Sequence, residues 1–404
     1  MPSSLKLIVP LTRLHCQDGI ASHLATLLPR LKQAGMRIFT AVGSIDVPPG
    51  TEAVLELIRL ASETFEVDER LLVYQKRLTA RTLCRQVAAI RSLLGRAEVS
   101  RSADKYVVHL QGRGLGPAIR IATFCKRNLV FTSQLSLGKL RPASASVKGR
   151  LKAWAVADRV IAISRELAAE LRYVECHPAG NIRGVFHGID TSRFSPASVS
   201  EKLLSREKLG ITNEAFVIGI LARIAAIKRH DTLAAACEML VEQGRNVHLI
   251  IAGDGDPQLV ESLRHRLSRS PMNNSYCILG FADARDVIWA CDATVLPSER
   301  EGFGISVCES MACGVIPLRT PVEGALDQII DGKTGFLFPV GNSKVLAEQL
   351  SLLMDNPAVR QNMSEAATQY ARDHFSADVM AEKTLAVYRK LAYGEVPDPR
   401  TLFV

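Results

Sequence analysis

Pro297-Ser-Glu-Arg-Glu301-Gly-Phe-Gly-Ile-Ser-Val-Cys-Glu309-Ser-Met-Ala-Cys-Gly314 is the most informative stretch of this 404-residue chain. The apolar run Ala293–Leu296 before it reads as a buried strand, and helical spacing begins near Ile305. Gly302 and Gly304 sit in the loop between, where a missing Cβ lets the backbone approach a ligand. Loop amides followed by a helix N-terminus make an anion site suited to a diphosphate. Glu301 lies in the loop and Glu309 about one turn into the helix. One carboxylate can hold a hydroxylated group near the phosphates, and the other can grip a vicinal diol such as a ribose. In isolation the pair also fits an exposed loop Glu and a helix Glu with no ligand.

The same pattern recurs upstream. In Gly219-Ile-Leu-Ala-Arg223-Ile-Ala-Ala-Ile-Lys228-Arg-His-Asp231, two cations follow directly after a strand. Arg as a planar fork and Lys as a point charge suit a diphosphate, although two surface cations would read the same. Ile250-Ile-Ala-Gly253-Asp-Gly255-Asp256-Pro257 is a strand entering a Gly-x-Gly turn before a helix. Asp254 and Asp256 mimic a metal-binding Asp-x-Asp, but no further oxygen ligand is suggested nearby. A structural turn, or backbone contact to a base through Gly253, is the expected role. In the first half, Asp18-Gly19-Ile20 opens a helix after the first strand. Gln111-Gly-Arg-Gly-Leu-Gly116 is glycine-rich, but lacks the spacing after the first strand that a nicotinamide enzyme needs.

Strand and helix patterns alternate along the chain. Strands are expected at Lys6–Val9, Arg37–Val42, Lys105–Leu110, Leu129–Thr132, Arg159–Ile163 and Ile182–Phe186, with a helix over about 21–34 closed by Gly35. The pattern weakens over 188–214, a linker candidate. It resumes at Phe216–Leu221, Val247–Ala252, Tyr276–Leu279, Ala293–Leu296 and Val315–Leu318. This alternation predicts an α/β chain of two Rossmann-like, doubly wound domains, with parallel sheets covered by helices on both faces. Ligands in such sheets bind beyond the strand carboxyl ends, so a cleft between the two domains is the expected site. The length agrees with two or three domains at roughly 150 residues each.

Composition narrows the class. Hydrophobic residues make up 47% and charged residues 23%, which excludes disorder. No apolar run approaches the ~20 residues of a membrane helix, and Leu7–Leu11 is too short for a secretory core, so a cytosolic chain is expected. Nine scattered cysteines with no Cys-x-x-Cys predict reduced thiols and no zinc site. Charge is lopsided. Residues 1–200 hold 29 Lys+Arg against 15 Asp+Glu, while 201–404 hold 21 against 26. Residues 70–152 alone carry 18 basic and 2 acidic side chains, which should attract an anionic partner. Within 77–96, Leu83, Val87, Ile90 and Leu94 form one apolar stripe, with Arg77, Arg81, Arg85 and Arg91 mostly opposite. Such a helix packs on a core with a solvated basic face, or lies on anionic lipid. Nucleic acid is not expected, since aromatics are only 5% and no recognition motif is present.

Together these stretches resemble the retaining glycosyltransferases of family 4, bacterial cell-surface glycan enzymes with the GT-B fold of two Rossmann-like domains facing across a cleft. The resemblance covers nearly the whole chain and is strongest over 157–340. It rests on Glu301-x7-Glu309 within Ser-x-x-Glu-Gly-Phe-Gly, and on Arg223 followed by Lys228. It rests also on Ala157-Asp-Arg-Val-Ile-Ala-Ile-Ser164 followed by Val185-Phe-His-Gly188-Ile-Asp190. It implies an acceptor-binding domain over 1–195, a nucleotide-sugar domain over 196–370, and a C-terminal segment 371–404 whose helix crosses back to the first domain. Arg223 and Lys228 would neutralise the donor diphosphate, so that no metal and no cofactor is required. Glu301 would contact the transferred sugar and Glu309 the ribose. Gly302, Phe303, Gly304, Ile305 and Ser306 would hold the sugar and distal phosphate, and Gly19 would face the phosphates from the first domain.

The implied reaction moves a hexose from a nucleoside diphosphate sugar, UDP by frequency among similar enzymes, with retention. The acceptor would be a lipid-linked, lipopolysaccharide or exopolysaccharide glycan, an anionic partner at the inner face of the cytoplasmic membrane. Three positions depart from the family pattern. Asp18-Gly19 stands for a Gly-Gly pair. Gln134 stands for a His near the reacting sugar, leaving His109 and Gln134 as acceptor-side candidates. Glu323-Gly324 and Asp327 stand for a later Gly-Gly-x-x-Glu. The rival readings are a GT-B sugar-nucleotide epimerase, a glycoside phosphorylase, and a non-catalytic basic module that binds membrane or nucleic acid.

Overall fold

The computed structural model describes residues 5–15, 19–47, 51–66, 80–99, 105–111, 116–123, 128–134, 157–175 and 177–394. Two compact units emerge. One comprises residues 1–188 with 377–404, and the other residues 189–376. The chain therefore changes unit after Gly188 and after Ser376, rather than at 195 and 370.

The first unit is built on seven parallel strands. They are β1 (Lys6–His15), β2 (Arg37–Asp46), β3 (Glu63–Glu66), β4 (Tyr106–Leu110), β5 (Leu129–Ser133), β6 (Arg159–Ala162) and β7 (Ile182–Gly184), in the order β3-β2-β1-β4-β5-β6-β7. The order reverses between β1 and β4, as in doubly wound folds. Leu7 and Val9 of β1 share a core with Leu24, Leu28 and Leu31 of the helix Gly19–Gln33. Leu385, Tyr388 and Leu391 of the last helix, Ala377–Tyr393, complete it. In the helix Ala80–Arg96, Val87, Ile90 and Leu94 are buried and Leu83 partly so, while Arg85 and Arg91 are exposed. The side chains of Arg77 and Arg81 lie outside the described residues.

The second unit repeats the plan with six parallel strands. They are β8 (Phe216–Leu221), β9 (Val247–Ala252), β10 (Tyr276–Gly280), β11 (Ala293–Leu296), β12 (Ile316–Arg319) and β13 (Phe336–Leu337), in the order β10-β9-β8-β11-β12-β13. Its switch point lies between β8 and β11. Ile218, Leu249, Val295, Ile316 and Leu318 share one buried core, and β8 and β11 are apolar nearly throughout, as expected of parallel strands covered on both faces. The supposed linker contains a helix, Val199–Lys208. Ser198 and Glu201 form a capping box at its start, and Arg206 is buried against Asp292 and the carbonyls of Ala290 and Ala215. Its polar composition hid it, since the side it buries is Ser205 and Arg206, while Leu203 and Leu204 are exposed.

Candidate functional site

The site builds outward from the switch point of the second unit. The connection after β8 carries a short turn, Ala226–Lys228, and Arg229 in the left-handed region opens the helix His230–Glu242. The connection after β11 carries Ser298, Glu301 and the glycine loop, ending at the helix Ile305–Ala312. The two connections meet. The Lys228 ammonium pairs with Glu301 Oε1, which also accepts from Ser298 Oγ at 2.7 Å. The Glu299 amide donates to the Ile227 carbonyl at 2.9 Å. Arg229 pairs with Asp231 and Glu299, which fastens the same connections from outside.

Arg223 stands two residues beyond β8, exposed, and its guanidinium makes no hydrogen bond or ion pair among the described residues. The structure thus joins Lys228 to Glu301 and leaves Arg223 open to solvent. Glu309 sits in the helix Ile305–Ala312, keeps partial solvent access and is ringed by protein. Burial pushes its carboxyl up to about 7, against the pull of Arg193 and with the push of Asp283. Arg193 is itself paired with Asp283 at 2.8 Å.

The glycine loop is held from below. Gly304 has φ +79, and a Cβ there would meet Leu296 Cδ2 at 2.9 Å. Phe303 is buried, with its ring edge-on to Phe375 at 5.8 Å. Gly302, Ile305 and Ser306 line the loop and first helical turn, each half-buried. Beneath them lies Arg319, fully buried at the carboxyl end of β12. It donates to the carbonyls of Phe303 (3.0 Å) and Glu323 (3.0 Å) and to Gln328 Oε1. Gln328 in turn donates to the Gly304 carbonyl at 3.2 Å. The Glu323 carboxylate accepts the Glu301 amide at 3.1 Å. Arg319 and Gln328 are not among the residues the sequence motifs single out, whereas Ser298 is the serine of Ser-x-x-Glu-Gly-Phe-Gly. The signal for Arg319 was a charged residue closing the apolar strand Ile316–Arg319.

Gly253 has a packing explanation. A Cβ there would lie 2.2 Å from the Ala222 carbonyl oxygen, and its amide donates to Gly280 at 2.7 Å. Its amide is therefore already spent within the sheet. Among the described residues, no three His, Cys, Asp or Glu side chains gather where they would hold a metal.

In the first unit, Gly19 starts a helix, is exposed, and has nothing among the described residues within 4 Å of a Cβ. Asp18 and residues 112–115 lie outside the described residues. Gln134 donates to Gln111 at 2.7 Å and is half-buried. His109 is buried with both ring nitrogens bonded, to Tyr388 and Thr132, each at 2.6 Å. Desolvation, with help from His23, lowers its pKa to about 3. It is a structural link between the terminal helix and the sheet, not an open acceptor-side group. The sequence also gave no hint of a buried pair, His23 and His187, joined Nδ1 to Nδ1 at 2.9 Å.

The fold is the two-domain GT-B type, with two Rossmann-like units. Residues 201–370 match the family model described as glycosyl transferases group 1. Two curated relatives agree. The chain is 29% identical over 270 residues to a D-inositol 3-phosphate glycosyltransferase of Streptomyces avermitilis, a match covering 64% of this chain and 57% of that protein. It is 27% identical to the capsular polysaccharide biosynthesis glycosyltransferase CapM of Staphylococcus aureus, covering 51% and 53%. These matches span little more than half the length of either relative. Among solved structures, Anabaena HepE in complex with UDP and glucose superposes with a TM-score of 0.74 at 20% identity, covering 94% of this chain and 98% of that one. The matched family model and both curated relatives are glycosyltransferases, and none of them favours the rival readings.

Proposed function

We propose that the protein transfers a hexose from a nucleoside diphosphate sugar, UDP-linked, to a lipid-linked or cell-surface polysaccharide acceptor, with retention and without a metal. The observation that carries this is the Lys228–Glu301 pair, set where the strand order reverses and beside the glycine loop. Transfer breaks the bond between the anomeric carbon and the diphosphate, leaving positive charge on the sugar and negative charge on the leaving group. Lys228 and Arg223 stabilise that negative charge. Glu301 orients the sugar, and Glu309 takes the ribose diol. The acceptor hydroxyl attacks from the face the diphosphate leaves, and its proton passes to a departing phosphate oxygen. HepE supports UDP by its bound ligand, and CapM supports a polysaccharide product by its name.

The basic first unit suits an anionic membrane face. No helix among the described residues is long and apolar enough to cross a membrane. Incubating the full chain with labelled UDP-hexoses and a polyprenyl-diphosphate glycan tests the proposal. Label should enter the lipid fraction with its anomeric configuration kept. Absence of transfer from every nucleotide sugar, or an inverted product, would refute it.

A further inference from the structure

We infer that Arg319, with Gln328, is a positioning residue that aims the loop amides at the donor's diphosphate. The inference rests on the donor site proposed above. A trans peptide is planar, and its C=O and N–H point in opposite directions. Arg319 draws the Phe303 carbonyl inward, so the Gly304 N–H of that peptide points outward. Gln328, together with the Val307 amide at 3.0 Å, holds the Gly304 carbonyl inward, so the Ile305 N–H of that peptide points outward. Arg319 also holds the Glu323 carbonyl at 3.0 Å, which ties the loop after β12 to the same guanidinium. Two separate loops, one after β11 and one after β12, are thereby oriented by a single guanidinium.

The chemistry of the clamp points the same way. A fully buried guanidinium is costly unless compensated. An anion seated on the outward amides would lie over that charge and profit from it through a low-dielectric wall. Space is tight enough to hold the arrangement. A Cβ on Gly304 would stand 3.4 Å from Arg319 Nη1, and one on Gly324 would stand 3.1 Å from Phe303 Cδ2. A guanidinium spans the two carbonyls as a planar fork, which an ammonium cannot reproduce fully.

The test uses the full chain and inorganic pyrophosphate as probe, by titration calorimetry, beside thermal unfolding. R319M/Q328M should bind pyrophosphate on the order of 30-fold more weakly, the scale of two lost charge-assisted contacts, and R319K should recover part of that loss. A folded double variant that binds within threefold of wild type overturns the inference. Should the double variant fail to fold, Q328A decides. It removes the side-chain bond to the Gly304 carbonyl and one partner of Arg319, and should weaken binding about fivefold, and binding within twofold overturns the inference. Wild type that binds pyrophosphate yet moves sugar from no donor would sink the transferase reading and leave the clamp standing. Wild type that binds no pyrophosphate sinks the clamp.

Discussion

Lys228 and Glu301 lie 73 positions apart in sequence and form an ion pair across the point where β8 and β11 diverge. Glu301 is almost wholly buried and Lys228 about three-quarters so, with side-chain exposures of 8% and 22%. Without a donor, each neutralises the other. In the proposed reaction a diphosphate beside Lys228 would be a second anionic partner for an ammonium already fixed by Glu301, so the cation would be preorganised for the leaving group.

Lys228→Ala should therefore reduce turnover by about 100-fold or more, the usual scale for losing one preorganised charge contact. Arg223→Ala should weaken turnover too, with little effect on unfolding temperature, because the guanidinium is exposed and makes no hydrogen bond or ion pair among the described residues. Steady-state rates beside melting curves check both. Near-normal turnover in either variant would remove that residue from the mechanism.

Glu309 gives a pH signature. Its carboxyl, raised to about 7 by burial, is protonated at pH 5.5 and ionised at pH 8. An ionised carboxylate is the better acceptor for a ribose diol, so UDP-glucose affinity should climb across that interval. UDP-glucose is the right probe because its diphosphate lacks the phosphate group that titrates near pH 6. Glu309→Gln should flatten the climb. Stability should run the other way. Between about pH 4.5 and 7 the folded state holds a proton the unfolded chain has released, so this group's contribution falls as pH rises. Urea midpoints of wild type and Glu309→Gln across that window measure the difference.

The buried histidines of the first unit predict acid lability. Burial lowers His23 to about 4 and His109 to about 3, and pushes His187 well below its ordinary value. Below about pH 6.5 the unfolded chain binds protons that the folded unit refuses, so stability is lost as pH falls. His109→Gln should lessen the fall, although losing the bonds to Tyr388 and Thr132 costs about 1–3 kcal/mol at neutral pH. Denaturation midpoints from pH 7.5 to 5 provide the check.

Glycines separate packing from ligand contact. Gly253→Ala and Gly304→Ala should destabilise the chain, by at least about 1–3 kcal/mol, through positive φ and steric contact. Gly19→Ala meets no described residue within 4 Å and should leave the unfolding temperature unchanged. If Gly19 faces the donor phosphates, the same variant should lower transfer, so activity and stability part company there.

Much of this was legible because parallel strands buried on both faces must be apolar throughout. Phe216–Leu221 and Ala293–Leu296 stood out for that reason. Glu301, Lys228 and the glycine loop were legible because charged and flexible residues directly after such strands have few structural reasons to be there. The helix Val199–Lys208 was not legible, since it buries Arg206 through Asp292 rather than through apolar spacing. Neither was the role of Arg319, whose partners are mostly backbone carbonyls, invisible in side-chain patterns. His109 looked like a site residue by position, and only its two hydrogen bonds revealed a structural role.

The most direct measurement is calorimetric titration of the full chain with UDP, GDP, ADP and dTDP hexoses, repeated with Lys228→Ala. The wild-type chain should show saturable binding of one nucleotide sugar, UDP-linked, weakened at least tenfold in the variant. Binding of none of them by the wild-type chain, or equal binding by the variant, would contradict it.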